Sequence, residues 1–317
     1  MLSRKRLLQH ISQIKMESNS LTKFWPLIYS NIREFWQITE PRIEDAALQL
    51  DIPIELYYYS ELGLDTFSIE EFQKRDPFTN PEQFERLFAR LDVKGWIEPI
   101  PDGKYQVTQR ARNAARQIIQ AGNAQLSGFK PRSGLDLTRL MNLLKQVVMA
   151  NGSESEPPTK WAISRRFRVA EKESPPIVQV REYLMDIYAY RDDSHLSASR
   201  PHFNDAGIVW IVLGSLVGGV DVAADQIAEK MEFRGYEAYD YQVALQAAVE
   251  VGWAEETEAI GGFRPTPAGR EIRARVEHLT DEYFYHPWSV MTQEELDDLY
   301  NLLTKLHDQL IAYKKLK

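Results

Sequence analysis

Cysteine is absent from all 317 residues, which removes disulfides, thiolate nucleophiles and thiolate metal sites together and fits a reducing compartment. No apolar run approaches the ~20 residues needed to cross a bilayer. The basic opening Met1–Leu8 runs into Gln9, His10 and Gln13 instead of the apolar core of a secretory signal. The chain is therefore expected to be cytoplasmic, without a membrane partner. Positive charge is also scarce: 38 Lys and Arg stand against 46 Asp and Glu, a net −8, so the molecule as a whole is not drawn to polyanions and any such contact must come from local patches. Gly-x-Ser-x-Gly and His-Glu-x-x-His are missing, and Gly214–Gly219 lacks the Lys-Ser/Thr ending of a phosphate loop. No catalytic constellation or cofactor motif is left, and an enzyme is not expected.

What is present is ordinary globular material, 44% hydrophobic and 26% charged, long enough for about two domains. Those two domains are written as an internal repeat. Leu91-Asp92-Val93-Lys94-Gly95-Trp96-Ile97-Glu98 is echoed half a chain later by Ala248-Val249-Glu250-Val251-Gly252-Trp253-Ala254-Glu255. The echo extends both ways: Pro41–Ala46 answers Pro201–Ala206, Gly63-Leu64-Asp65 answers Gly219-Val220-Asp221, Tyr105–Thr108 answers Phe263–Thr266, and Leu140–Leu144 answers Leu299–Leu303, always in the same order.

Local signals give each copy its elements. Residues 1–40 read as one or two helices, with Leu7, Leu8, Ile11 and Ile14 on one stripe, and a further helix spans Asp45–Tyr59 and stops at Gly63. Ser68-Ile69-Glu70-Glu71 has the form of a capping box, and Asn80-Pro81-Glu82 opens the next helix, whose Phe84, Leu87, Phe88 and Leu91 share a face. Two short strands around Asp102-Gly103 then form a wing near 96–108, matched near 253–266 around Gly261-Gly262. Each copy closes on a long packing helix, 135–149 and 292–314. The later one starts from a Thr292/Glu295 capping box and carries Leu296, Leu299, Leu303, Leu306, Leu310 and Tyr313 at alternating steps of three and four. The polar, Pro-containing stretch 151–158 is the expected linker between domains 1–150 and 159–317. A helix is predicted over Ile177–Tyr190. The fold class is mainly α with small β-wings (α+β).

Helix, turn, helix, Lys94-Gly95-Trp96, hairpin, Thr108 and a further helix resemble the winged-helix domain of MarR-type transcription regulators over about 65–149, and more loosely over 221–314. The resemblance implies that the segment before Lys94-Gly95 is a DNA recognition helix. It also implies that the chain is a fused version of a dimer whose protomers join through their terminal helices. Two winged-helix repeats related by a pseudo-twofold, in a monomer (pseudo-dimer) or a homodimer, are thus expected.

Double-stranded DNA is the first partner to consider. A recognition helix needs polar groups for base edges and cations for phosphates. In copy one Gln83, Arg86, Arg90 and Lys94 meet that need, with Lys104 on the wing and Arg110 and Arg112 behind it, although Glu82, Glu85 and Asp92 cancel the helix charge. Glu237–Gly252 of copy two has no Lys or Arg and is acidic. Further basic residues gather as Arg116, as Arg264, Arg270, Arg273 and Arg275, and as Arg165, Arg166 and Arg168. Any of these grips a backbone or pairs with neighbouring acids. A competing expectation is an interaction or small-ligand-sensing scaffold that has lost DNA binding, with a protein or a small aromatic effector as partner. The aromatic pairs Phe24-Trp25 and Phe35-Trp36 and the runs Tyr57–Tyr59 and Tyr283–Tyr285 belong either to such a cleft or to core packing, and core packing is the default. A third reading is a metal-dependent enzyme using His195 and His202 of Arg191–His202. Against it, that stretch reads as a loop and helix cap.

Overall fold

The computed structural model describes residues 21–53, 62–153, 155, 157–170, 173–203, 206–219, 223–259 and 261–315, and 70% of it is helical. The predicted stripe Leu7–Ile14, Tyr57–Tyr59, and the Val220-Asp221 and Asn204-Asp205 parts of the echoes lie outside the described residues.

The first helix, α1 (Phe24–Gln49), turns Phe24, Ile28, Ile32, Phe35, Ile38, Ile43 and Ala47 inward. The sequence places a break near residue 40 and a fresh helix at Asp45. Instead α1 runs straight through Pro41. An interior proline forfeits one backbone hydrogen bond and costs about 3 kcal/mol, but Pro41 sits on the exposed side while the buried stripe continues from Ile38 to Ile43 beneath it. Burial on both sides of the proline outweighs the lost bond.

The next five elements are β1 (Thr66–Ser68), α2 (Ile69–Arg75), α3 (Pro81–Val93), β2 (Ile97–Ile100) and β3 (Lys104–Val107). Ser68 and Glu71 close the expected capping box on α2, and Asn80 caps α3 by accepting from the Glu82 N–H. Phe84, Leu87, Phe88 and Leu91 are buried as expected, with the Phe72 ring edge-on to Phe84 at 4.6 Å. Strand β3 lies between β1 and β2, antiparallel to both. Asp102 and Gly103, both at positive φ (66° and 68°), make the tight hairpin turn. Gly95 (φ 68°) ends α3 in the left-handed conformation that lets the chain reverse into the wing. Thr108 then caps α4 (Gln109–Ala124): its Oγ1 accepts from the Ala111 N–H and donates to the Trp96 carbonyl, tying wing to helix.

After α5 (Leu137–Ser153) and the single turn α6 (Trp161–Ser164) comes α7 (Pro176–Phe203). The expected linker 151–158 is shorter than read, because residues 151–153 finish α5. Helix α7 is much longer than the predicted Ile177–Tyr190. It absorbs the whole polar stretch Arg191–His202, which is a helix and not a loop. Within it Arg191, Asp193, Ser194 and Ser199 are buried with partners close by: Asp193 accepts from the Ala162 and Ile163 N–H groups at 2.6 and 3.0 Å and so caps α6.

The second half contains α8 (Gly207–Gly218), α9 (Ala224–Lys230), a 3-10 turn (Glu232–Arg234), α10 (Ala238–Glu250), β4 (Ala254–Glu256), β5 (Phe263–Pro265), α11 (Pro267–Tyr285), a second 3-10 turn (His286–Val290) and α12 (Gln293–Lys314). Strands β4 and β5 pair antiparallel. Gly252 has φ 76°, and Thr266 donates to the Gly252 carbonyl while accepting from the Gly269 N–H. The order helix, turn, helix, hairpin, helix thus occurs in both halves.

The largest core belongs to both halves. Phe24 and Phe35 of α1, Leu140 and Leu144 of α5, Leu184 and Ile187 of α7, Phe284 of α11, Trp288, and Leu299, Leu303 and Leu306 of α12 form one buried cluster. The long helices at 137–153 and 293–314 both contribute to this cluster. The aromatic runs Phe24-Trp25 and Tyr283–Tyr285 supply core rings, Phe24 meeting Trp288 at 5.1 Å. Each helix-turn-helix unit adds a smaller core of its own, around Phe67, Phe72 and Phe88 and around Ile227, Tyr241 and Leu245. None of the described helices is long and apolar enough to cross a membrane.

Candidate nucleic-acid interface

Helix α3 presents Arg86, Arg90 and Lys94 at successive steps of four, which places them on one exposed face. All have company. Arg86 reaches Glu82 at 3.4 Å and Gln83 at 3.0 Å. Lys94 reaches Asp51 at 3.1 Å, and Lys104 on the wing reaches Glu71 at 3.6 Å. Arg110 lies over the Trp96 ring, 4.1 Å from its centroid, and donates to the Lys94 carbonyl at 3.0 Å, so it stands beside Lys94 at the mouth of the wing. Arg112 has turned inward: its guanidinium donates to the carbonyls of Leu62, Leu64 and Val107, pinning the segment before β1 to the end of β3. It positions the wing.

The other basic groups divide in the same way. Arg166 and Arg168 bind the buried Asp186 at 3.1 and 3.0 Å, and Arg166 also binds Glu182. Arg264 pairs with Glu255 at 2.8 Å on the second wing. Arg273 lies 4.4 Å over Trp210, where burial lowers its pKa. Along α10 the exposed positions are Ala238, Tyr239, Val243 and Glu250, with no cation.

The start of α3 is held by the other half of the chain. The Asn80 N–H donates to the Arg234 carbonyl and the Asn80 amide to the Gly235 carbonyl, both at 2.9 Å. Arg234 reaches back to Asp76 at 3.0 Å and Thr79 at 3.1 Å, its guanidinium over Phe78. Gln83 packs against Gly235. Gly207 at the head of α8 sits against the Pro77 carbonyl so closely that a Cβ would collide with it. The turn joining α2 to α3 therefore meets the turn joining α9 to α10. Composition gives no hint of this junction, because Asp76, Thr79 and Asn80 read as ordinary capping residues.

His195 and His202 are not brought together. They occupy one helix seven residues apart, about 10 Å along its axis. His195 Nδ1 lies 3.5 Å from Glu277 and 3.4 Å from Thr280 Oγ1, and burial beside Arg273 and Arg191 pushes its pKa down to about 4, leaving it neutral. His202 stacks on Trp210 at 6.3 Å. Among the described residues no group of three or more His, Cys, Asp and Glu is placed to hold a metal ion.

Two helices joined by a tight turn and followed by an antiparallel hairpin are the arrangement of a helix-turn-helix domain with a wing. A helix-turn-helix family model matches residues 190–317, which take in the end of α7, the unit α9–α10, its wing and the two closing helices. No curated protein and no solved structure matches the chain.

Proposed function

We propose that the chain is a DNA-binding transcription regulator in which two winged-helix units, fused in one polypeptide, stand where a MarR-type dimer has two protomers. The repeated order of elements supports the pseudo-dimer, as do Thr108 and Thr266, whose hydroxyls each donate to the carbonyl of the glycine before the wing (Gly95, Gly252) and accept from the N–H three residues on. The row Arg86, Arg90 and Lys94, extended by Lys104, carries the DNA-binding part. The Arg86, Lys94 and Lys104 side chains are 42–57% exposed, and each is paired with a surface acid. Such pairs contribute roughly 0–1 kcal/mol, so a phosphate displaces the carboxylate at little cost.

Contact is asymmetric in this reading. Helix α10 offers no phosphate ligand, and the start of α3 is covered by Arg234 and Gly235, so DNA meets the middle and end of α3 and the first wing. A second reading, a protein-binding scaffold, is favoured by one observation, the exposed Tyr239 and Val243 on α10 (77% and 51%). Titration of a labelled random-sequence duplex separates the two. Four phosphate contacts imply a salt slope of about −3.6, so a fourfold rise in salt weakens binding roughly 100-fold. A scaffold gives no saturable binding even at low salt.

A further inference from the structure

A pair of helix-turn-helix units reads DNA by placing the starts of its two recognition helices in successive major grooves, with half-site centres roughly 34 Å apart. The junction between the halves of this chain sets a much shorter spacing. At the head of α3 the Asn80 N–H donates to the Arg234 carbonyl and the Asn80 amide to the Gly235 carbonyl, both at 2.9 Å. Glu237, the residue before α10, stands only two positions beyond Gly235, a reach of at most ~7 Å. One hydrogen bond and that reach keep the two helix starts within about 15 Å of each other, under half of the groove spacing.

The closeness is held at several points. Arg234 binds Asp76 and Thr79 in the turn before α3, and the Pro77 carbonyl of the same turn lies against Gly207 with no room for a Cβ between them. Spreading the helix starts to groove spacing breaks all of these contacts together. The first turn of α3 is meanwhile spent on the junction. Asn80 Oδ1 accepts from the Glu82 N–H, and Gln83 packs on Gly235 while its Oε1 accepts from Arg86. What remains open on α3 is its middle and end, with Arg86 and Arg90, beside the wing residue Lys104. On the other side of the junction, α10 and the residue before it carry Glu237, Asp240 and Glu250 and neither Lys nor Arg, so that helix repels the phosphates flanking a groove.

We propose that each chain enters one major groove only. Its target is a single half-site of about one helical turn, not the inverted repeat that a symmetric pair of units reads, with Arg86 and Arg90 in the groove and Lys104 on the adjoining backbone. The proposal rests on the DNA-binding reading of α3 and goes beyond it by fixing the class of site.

The test is fluorescence anisotropy of the full chain with random-sequence duplexes of about 12 and about 24 base pairs, one turn and two, across a salt series. A chain in one groove neutralises the same phosphates on both, so the two salt slopes are expected to agree within about one unit. Arg264→Ala/Arg270→Ala removes exposed cations from the second wing and the first turn of α11. That variant, its fold verified by circular dichroism, is expected to keep the slope of the unaltered chain on the longer duplex. Selection from a random pool is expected to enrich one block of about 10 base pairs per bound chain; an inverted repeat holding two chains agrees with this, each chain on its own half. A slope on the longer duplex steeper by more than about one unit, a shallower slope in the double variant, enrichment of no block, or two half-sites held by one chain overturns the proposal while leaving the phosphate row of α3 standing. No binding to either duplex at low salt overturns it together with the DNA-binding reading.

Discussion

Arg234 is the residue on which the junction of the two halves turns, and removing it has a calculable consequence. Its guanidinium donates to Asp76 at 3.0 Å and to Thr79 at 3.1 Å, with both side chains of the ion pair only about one-fifth exposed (22% and 20%). A hydrogen bond to a charged group contributes about 1.5–3 kcal/mol. The stacking on Phe78 and Phe233 adds roughly 0.5–1 kcal/mol. Asp76 keeps two other donors, the Phe78 N–H and Thr79 Oγ1, so truncation does not orphan it and the lower part of the range applies. Arg234→Ala is therefore expected to destabilise by about 2–3 kcal/mol, a fall in Tm of roughly 4–6 °C at about 2 °C per kcal/mol for a chain of this size. Paired with Asp76→Asn in a double-mutant cycle followed by urea denaturation, the two changes are expected to couple by about 1–2 kcal/mol. Strict additivity within roughly 0.5 kcal/mol would refute the turn-to-turn contact.

Two further outcomes follow from the same contacts. Gly207→Ala drives a Cβ into the Pro77 carbonyl and is expected to lower Tm markedly while leaving the helical circular dichroism intact, whereas Gly152→Ala, with open space around it, is neutral or slightly stabilising. Two neighbouring carboxyls of α7 set a pH dependence. Asp192 and Asp193 have folded-state pKa values raised to about 7 and about 6 from 3.8, so between pH 6.5 and 8 the folded chain holds protons that the unfolded chain has lost, and stability falls as pH rises through 7. His195, lowered to about 4 from 6.5, opposes this only on acidification below pH 6.5. Because Asp192 faces a solvent-accessible cavity, screening limits the change to roughly 1–2 °C in Tm, and Asp192→Asn should flatten it in a pair of melts at pH 6.5 and 8.

How much of this was legible beforehand depends on whether the physics was local. Ser68/Glu71, Asn80-Pro81 and Thr292/Glu295 act within four residues, and all three helix starts stand where their side chains place them. The Asp102-Gly103 turn and the Thr108 cap are equally local. Pro41 misled because a rule about backbone hydrogen bonds was set against a buried stripe whose partners lie elsewhere in the chain. Arg191–His202 misled because a polar run was read as a loop and helix cap, when Asp193 and Arg191 find partners at Ala162 and Asp281 that no short window contains. Within the candidate interface, Arg86, Arg90 and Lys94 were readable from helical spacing. The inward turn of Arg112 was not, since residue type does not say whether a guanidinium meets water or three carbonyls. The junction was beyond reach altogether: Asn80 and Gly235 are 155 residues apart and share no period.

The account stands or falls on the exposed row of α3 and the first wing as a phosphate-binding surface. The direct measurement is fluorescence anisotropy of a random-sequence duplex titrated with the full chain across a salt series, compared with the Arg86→Ala/Arg90→Ala variant. The account predicts tight binding at low salt, a steep loss of affinity with added salt, and a slope shallower by about 1.8 in the variant. Saturable binding with the same slope in both proteins, or no binding at low salt, would contradict it.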